Sequence, residues 1–488
     1  MKIINYLKIG VFSLSLFGSV SCTDRFDSIN TDPNYPTVAT LDLLLNPLLR
    51  SLVQNQFNYN NGSGLAHHLA RTNYNEVEQY AFGTNEGTWT YLYMQLNNIQ
   101  ELIRVSEQSN KPSSKAIGMI LKAFVASQLT DLWGDVPYFE ATKGGENITP
   151  YYDRQMDIYT AEGGILSLLR QAEELLSSSK DVLASDIVYA GDRTKWRKLG
   201  NSLRLRYLMR ISNRAEEVTS FNVASEVKSV ADLPLLTDNK DNMVLPFLAG
   251  SPNKCPIFDL RPGEFEYVRM SEEMANVLNK YHDPRMQVWF APTTNSVGTD
   301  NPIFAGVPVG CSSTTLTEIH YSQADVSMLG DYYRMTPDGC SAVLMHSAEV
   351  KFLLAEAVLK GYISGQAKSF YEEGIRLSMG YYGIERADDY IAQSGVTFDE
   401  EDAYQQVMLQ KWLSLFMVGY EAWFDFLRTG LPKQDALHDN RNPSEPGGIP
   451  SRFYYPEDEQ ALNNKNYQDA VDRQGGTDNI NSRLWWEK

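Results

Sequence analysis

Residues 116–138, AIGMILKAFVASQLTDLWGDVPY, decide how this 488-residue chain is read. Ile117, Ile120, Leu121, Phe124, Val125, Leu129 and Leu132 recur at helical spacing and predict a helix with one broad apolar face. Gly134 stops that helix and Pro137 stands in its exit, because neither residue continues helical hydrogen bonding.

Working outward, the same periodicity covers Leu41–Phe57, Trp89–Val105, Ile158–Leu176 and Trp196–Ile211. It disappears between about Ala231 and Ser341. That stretch is rich in Pro, Gly, Asn and Thr, and pieces such as Gln287-Val-Trp-Phe read as β-like. Helices return over His346–Leu359, Gln366–Met379 and Ala403–Leu427, the last closed by Gly430 and Pro432. The tail from Pro443 to Lys488 reads as irregular chain. The expected fold class is therefore mainly α, one domain over 37–488 with a loop-rich insertion at about 231–341. Leu354, Ala355 and Val358, then Ala367, Tyr371 and Gly374, fall at the packing positions of a tetratricopeptide helix pair, with Gly361 and Gly365 in the turn. Any αα-hairpin wants the same small-against-large packing, so one pair leaves a true repeat open.

The first 21 residues are an address. Lys2 and Lys8 precede an apolar run from Ile9 to Val20, which is shorter than the roughly 20 apolar residues that span a bilayer. Ser21-Cys22 follows, similar to the lipobox of bacterial lipoproteins except for Ser19 where Leu is usual; the alternative is an ordinary signal with an incidental cysteine. Cys22 is the expected lipidation site, and residues 22–36 read as a tether. Two or three acyl chains on Cys22 give stable anchoring.

The whole chain carries 43 Lys+Arg against 61 Asp+Glu, a net charge of −18, and removing residues 1–21 takes away two lysines and no acid, leaving −20. Such an acidic chain without a basic cluster does not bind nucleic acid, whose phosphates it would repel. Cys255, Cys311 and Cys340 remain, an odd number that excludes a disulfide framework but allows one bridge if two lie close. The motifs of P-loop, dinucleotide-binding, serine-hydrolase and zincin enzymes are missing. His67 and His68 are adjacent and so point apart on a helix, and Thr237–Asn242 lacks the central glycine of a calcium loop. No metal or cofactor is expected.

Several segments together resemble the SusD/RagB family of outer-membrane nutrient-binding lipoproteins. They are DSINTDPNYP at 27–36, LTDLWGDVPY at 129–138, GDRTKW at 191–196 leading into NSLRLR at 201–206, EVKFLLAEA at 349–357, QKWL at 410–413, EAWFDFLRTGLP at 421–432 and RFYYP at 452–456. The resemblance is collinear over nearly the whole chain. It implies a SusD-like right-handed helical scaffold built partly of tetratricopeptide-like pairs. It also implies a place on the outer face of the outer membrane, as a lid over a SusC-like, TonB-dependent transporter. The implied task is capture of an oligosaccharide, or in the RagB branch a peptide, with no bond broken. A surface glycoside hydrolase and a helical-repeat scaffold without a small ligand are the competing readings.

Read by themselves, these segments are structural. Arg204, Arg206 and Arg210 beside Asn201 form a polar seam expected to pair with carboxylates, and Trp412, Trp423 and Phe424 are expected core. The ligand face is then expected in loops, where aromatic rings can stack on sugars and amides can meet hydroxyls. The chain has 28 Tyr, 20 Phe and 8 Trp, of which only a loop-borne minority suits that task. Two stretches carry it: Asn73–Asn75 through Tyr80 and Phe82, and the insertion with Phe265, Tyr267, Trp289, Phe290, Tyr332 and Tyr333. Tyr74, Tyr80, Trp289, Tyr332 and Tyr333 are the expected ligand residues.

Overall fold

The helix expected at 116–133 starts earlier, at Pro112, which costs nothing at a first turn because its missing N–H would be unpaired there anyway. In this computed structural model residues 40–143, 147–181, 183, 186–260, 263–443 and 448–487 are described. The signal segment, the tether and Cys22 lie outside the described residues. Leu41–Asn55 (α1) and Glu86–Gln108 (α2) precede Pro112–Trp133 (α3), and Ile165–Ser178 (α4) and Arg193–Arg210 (α5) follow it.

All of α3 except Pro112, Lys115 and Lys122 is buried, so the broad apolar face of the sequence becomes a helix covered on every side. It packs between α2 and α4, and α4 in turn packs on α5. A Cβ at Gly118 would stand 2.6 Å from Ile103, so α2 and α3 approach at a distance only glycine permits. Gly134 caps α3 at φ +86°.

Two helices expected as continuous are broken. Gln155–Thr160 is separated from α4 by a turn with Gly163 at φ +77°, and Ala403–Ser414 is separated from Glu421–Thr429 by a turn with Gly419 at φ +55°. Periodicity runs across both breaks, which is why the sequence reads as unbroken. The second break has a partner: Gly419 N–H donates to the Gln56 carbonyl at 2.7 Å, fastening the turn to the segment after α1.

Val223–Ala231 (α6) leads into the insertion, whose longest helix is Glu272–Lys280 (α7). Of the β-like piece Gln287–Phe290, the first three residues belong to a single helical turn, Met286–Trp289, and only Phe290 is extended, bridging Leu329. Among the described residues, three two-stranded antiparallel ribbons tie the insertion and loops to the frame. Leu69–Arg71 (β1) pairs with Val268–Met270 (β5), Val136–Pro137 (β2) with Tyr152–Asp153 (β3), and Met243–Pro246 (β4) with Ser341–Met345 (β6).

Ser347–Leu359 (α8) and Ala367–Tyr381 (α9) form the expected hairpin pair. A Cβ at Gly374 would meet the Phe352 ring at 2.6 Å, the small-against-large fit anticipated there. Ala403–Ser414 (α10) and Glu421–Thr429 (α11) complete this half. The tail is not wholly irregular: Glu457–Leu462 and Asn464–Arg473 (α12) are helical, and Trp486 is fully buried. From Leu41 onward the chain gathers into one compact unit.

The polar seam is present and is buried at Arg206 and Arg210, while Arg204 pairs with a partly exposed glutamate. Arg206 bonds Glu349 at 2.6 Å through Nε, Arg210 bonds Glu421, and Arg204 bonds Glu226. Arg428 grips Glu356 with both terminal nitrogens, at 2.5 and 2.8 Å, and Asp425 at 2.7 Å, while Lys411 reaches Asp425 at 2.9 Å. Trp412, Trp423 and Phe424 are buried beside it.

Candidate ligand-binding site

β1 and β5 bring together the two loop stretches that carry the candidate aromatics. Leu69 stands opposite Met270 and Arg71 opposite Val268, and the Thr72 N–H extends the ribbon by donating to the Tyr267 carbonyl at 3.0 Å. Beyond this point the chain turns sharply at Tyr74, whose φ of +54° is costly for a side chain of its size. Tyr74 is 59% exposed, and its ring lies 6.0 Å from that of half-buried Tyr267, tilted at 69°.

Buried groups hold the turn from beneath. Glu78 accepts the Arg71 backbone N–H and the Arg71 Nε–H, both at 2.8 Å. Burial pushes the Glu78 carboxyl up, and the Arg71 charge opposes it. Asn75 Nδ2 donates to the Arg71 carbonyl at 2.9 Å and to the Cys311 carbonyl at 2.8 Å, locking the loop to the insertion. His67, Tyr74, Tyr80 and Asn85 are four of the nine non-glycine residues at positive φ among the described residues. Such strain survives where surrounding contacts impose it, and it clusters where a surface must be presented in one shape. Asn73, which precedes Tyr74, and Glu264, three residues before Tyr267, are exposed. Tyr59, half-buried near Arg71 and Glu264, has its hydroxyl pKa raised, first by burial.

The other expected ligand residues are placed differently. Trp289 is fully buried, with its ring 4.8 Å from Phe416 and 5.5 Å from Tyr382. Tyr333 is buried and its hydroxyl lies 3.2 Å from that of Tyr382. Tyr80 is buried with its hydroxyl 3.4 Å from His67 Nε2. These three rings offer no face to a ligand, which corrects the expectation for them. The physical reason is that large rings in a loop-rich insertion are the material from which that insertion makes its own core. Tyr332 is half-buried against Tyr333 and Tyr382, and none of its ring contacts reaches Tyr74 or Tyr267. Of the expected set, Tyr74 alone stands on the ribbon. Tyr267, grouped with the insertion aromatics, is its partner, and nothing in the sequence marked that pairing because it depends on β1–β5 register.

His67 Nδ1 lies 2.8 Å from Glu273, and His68 Nε2 meets the Trp412 carbonyl at 3.0 Å. Burial pulls His68 down to about 3, so it is neutral. Among the described residues no three His, Cys, Asp or Glu side chains converge on a common point. In the Thr237–Asn242 turn, Asp241 is engaged by Lys198 at 2.7 Å.

A second feature lies along α2. Trp89, Tyr93 and Asn97 form an i, i+4, i+8 row that lines a cavity of about 530 Å³ facing Asn147, Ile148 and Glu459. Tyr93 is held by its hydroxyl, which donates to the Pro137 carbonyl at 2.7 Å. From sequence, Trp89–Val105 reads only as a helix; the amides that alternate with rings along this row are the signal that could have marked the groove.

A family model described as "Starch-binding associating with outer membrane", SusD-like, matches residues 33–456. The chain belongs to this SusD-like family. A SusD homolog from Bacteroides fragilis NCTC 9343 is similar at 30% identity with a TM-score of 0.80, covering 92% of this chain and 100% of that one. A second SusD homolog from the same strain gives 26% identity and a TM-score of 0.81, with the same coverage of 92% and 100%. A chitin-binding protein gives 26% identity and a TM-score of 0.76, covering 91% of this chain and 99% of that one. No curated protein matches. The SusD-like frame is thus mainly helical, as expected, and the family associates with the outer membrane. No described helix is long and apolar enough to cross a membrane.

Proposed function

We propose that this SusD-like protein is a surface lipoprotein that captures an oligosaccharide on the β1–β5 ribbon. It passes the glycan unbroken to a SusC-like, TonB-dependent transporter, over which it acts as a lid. The observation that carries this reading is the Tyr74–Tyr267 pair, an exposed ring and a half-exposed one held on a strained, internally bonded turn. A pyranose ring has an apolar C–H face and a rim of hydroxyls. Tyr74 and Tyr267 suit the first, and the Asn73 amide and Glu264 carboxylate suit the second. A chitin-binding protein among the similar structures supports a glycan over a peptide. Cys22 supplies the acyl anchor, and the exterior orientation rests on the family resemblance.

Calorimetric titration with malto-oligosaccharides, chito-oligosaccharides and an unstructured peptide tests the ligand. Binding of one glycan class without release of new reducing ends is expected; product release would make the protein a hydrolase. Binding of the peptide alone would move it to the peptide-capturing branch. Loss of affinity in Trp89→Ala with Tyr74→Ala unaffected would move the site to the α2 groove. Co-purification with a large β-barrel tests the partner. Loss of palmitate labelling in Cys22→Ala tests the anchor, and cleavage by protease added to intact cells tests the exterior orientation.

A further inference from the structure

Cys255 and Cys340 are 85 positions apart in sequence, yet their Sγ atoms lie 3.5 Å from each other in the buried base of the insertion. Backbone contacts on both sides set this approach. The Cys255 N–H donates to the Pro337 carbonyl at 2.7 Å, and the Cys340 carbonyl accepts from Phe247 at 3.2 Å, continuing the β4–β6 pairing. Cys311 is elsewhere, in a small cluster with Val307 and Val309.

We propose that Cys255 and Cys340 are joined by a disulfide in the exported protein, leaving Cys311 as the single free thiol of the mature chain's body. This rests on the reading of the chain as exported, since a disulfide persists only outside the reducing cytoplasm. A sulfur–sulfur bond is about 2.05 Å long, so the two thiols need to close by about 1.5 Å, within reach of side-chain rotation. Their chemistry is unequal. The Cys340 thiol and the backbone N–H groups of Phe258 and Ile257 hold the Cys255 thiol below its ordinary value against the effect of burial, while the same sulfur contact and burial push Cys340 up. Cys255 is therefore the first nucleophile.

The oxidant is a disulfide of the thiol-oxidase or glutathione class. The Cys255 thiolate attacks one sulfur of that disulfide, forming a mixed disulfide and expelling one oxidant thiolate. Cys340 loses its proton and attacks Cys255 Sγ, forming the intramolecular bond and expelling the second thiolate. The two cysteines give up two electrons and two protons, and the oxidant disulfide becomes a dithiol. Because both thiols are shielded in the finished fold, the exchange occurs late in folding after export, once the contacts that favour the Cys255 thiolate have formed and before the oxidant is excluded. The bond closes a long loop and clamps the Tyr332–Tyr333 turn to β4 and β6; the Cys255 thiol already donates to the Tyr333 carbonyl at 3.3 Å.

The test is peptide mass spectrometry on full-chain protein taken from the cell envelope and denatured in alkylating reagent. The expected result is a Cys255–Cys340 linked peptide with Cys311 alone alkylated. Alkylated Cys255 and Cys340 in chains whose signal has been removed overturns the proposal. Chains that keep residues 1–21 would show the export reading to be at fault, and a second arm then decides the bond itself. Reduced, unfolded protein is refolded in a glutathione redox buffer, where the same linkage must form; its absence overturns the proposal whatever the address. In the linked protein a reductant is expected to lower the melting temperature by several degrees, with no shift in the Cys255→Ser/Cys340→Ser double variant.

Discussion

The buried seam between α5, α8 and α11 and the β1–β5 ribbon both gather arginines, carboxylates and tyrosines, but they dispose of them in opposite ways. In the seam every carboxylate accepts from a cation or a ring donor: Glu349 from Arg206, Glu421 from Arg210, Glu356 and Asp425 from Arg428, and Asp131 from Tyr159 and Trp486. On the ribbon one arginine and one glutamate are paired beneath, while Asn73, Tyr74 and Glu264 remain exposed above. These seam residues come from the recognisable segments. Asp131 belongs to LTDLWGDVPY, Glu349 and Glu356 to EVKFLLAEA, Lys411 to QKWL, and Glu421, Asp425 and Arg428 to EAWFDFLRTGLP. Arg206 closes NSLRLR, and Arg210 follows one helical turn later. In this chain the segments that resemble the family meet in one internal ion network, assembled from helices far apart in sequence. It fixes the frame, and the proposed ligand site lies on loops outside it.

The comparison breaks most visibly at Arg428. Replacing it with Met leaves Glu356 and Asp425 buried without their shared cation, and removing one partner of a buried pair costs about 3–5 kcal/mol. Urea unfolding is expected to show that loss, while glycan affinity of the folded fraction stays unchanged. An equal fall in affinity at full folding would mean that seam and ribbon are coupled.

Asp131 gives the next effect, through pH. Burial raises its carboxyl from 3.8 to about 6, with Arg210 pulling the other way. The folded state then holds a proton more tightly than the unfolded state, so this residue makes stability fall as pH rises from about 4 to 6, by on the order of 3 kcal/mol. Glu421 and Asp425 are depressed despite their burial, Glu421 chiefly by Arg206 and Arg210 and Asp425 chiefly by Lys411 and Arg428. Their contribution is present above the ordinary carboxylate range and is lost as pH drops below it. Asp131→Asn is expected to gain stability relative to the parent as unfolding is followed from pH 4 to 7. A constant difference between the two would sink this assignment.

Gly374→Ala tests the frame without touching charge. The added methyl would sit 2.6 Å from the fully buried Phe352 ring, and overpacking of this kind costs about 1–3 kcal/mol. A lowered melting temperature with ligand affinity preserved is the expected result.

The frame was legible because helical periodicity and Gly–Pro stops are local signals, and because the seam arginines stood at helix spacing on α5. The breaks at Gly163 and Gly419 were not, since apolar residues keep their period across both turns. The site was only half legible. Tyr74 lies in a polar turn whose exposure the sequence conveys, whereas Trp289 and Tyr333 carry the same chemistry into the interior. Nothing short of the fold distinguishes a loop ring that stacks on Phe416 from one that faces water. Tyr267 needed register, because β1 and β5 are nearly 200 residues apart.

The smallest effect in free energy is the one that decides what the protein does. Tyr74→Ala removes a largely exposed ring and keeps the Cβ, so stability should move by less than about 0.5 kcal/mol. A ring contact contributes roughly 0.5–1.5 kcal/mol, so glycan affinity should fall about 2- to 12-fold. Tyr267→Ala should fall by a similar factor, and because the two rings touch, the double variant should lose less than the product of the singles. Strict additivity would mean that the rings meet separate parts of the ligand. Unchanged affinity in all three variants would leave the ribbon as one more piece of the frame, built like the seam to hold the chain together.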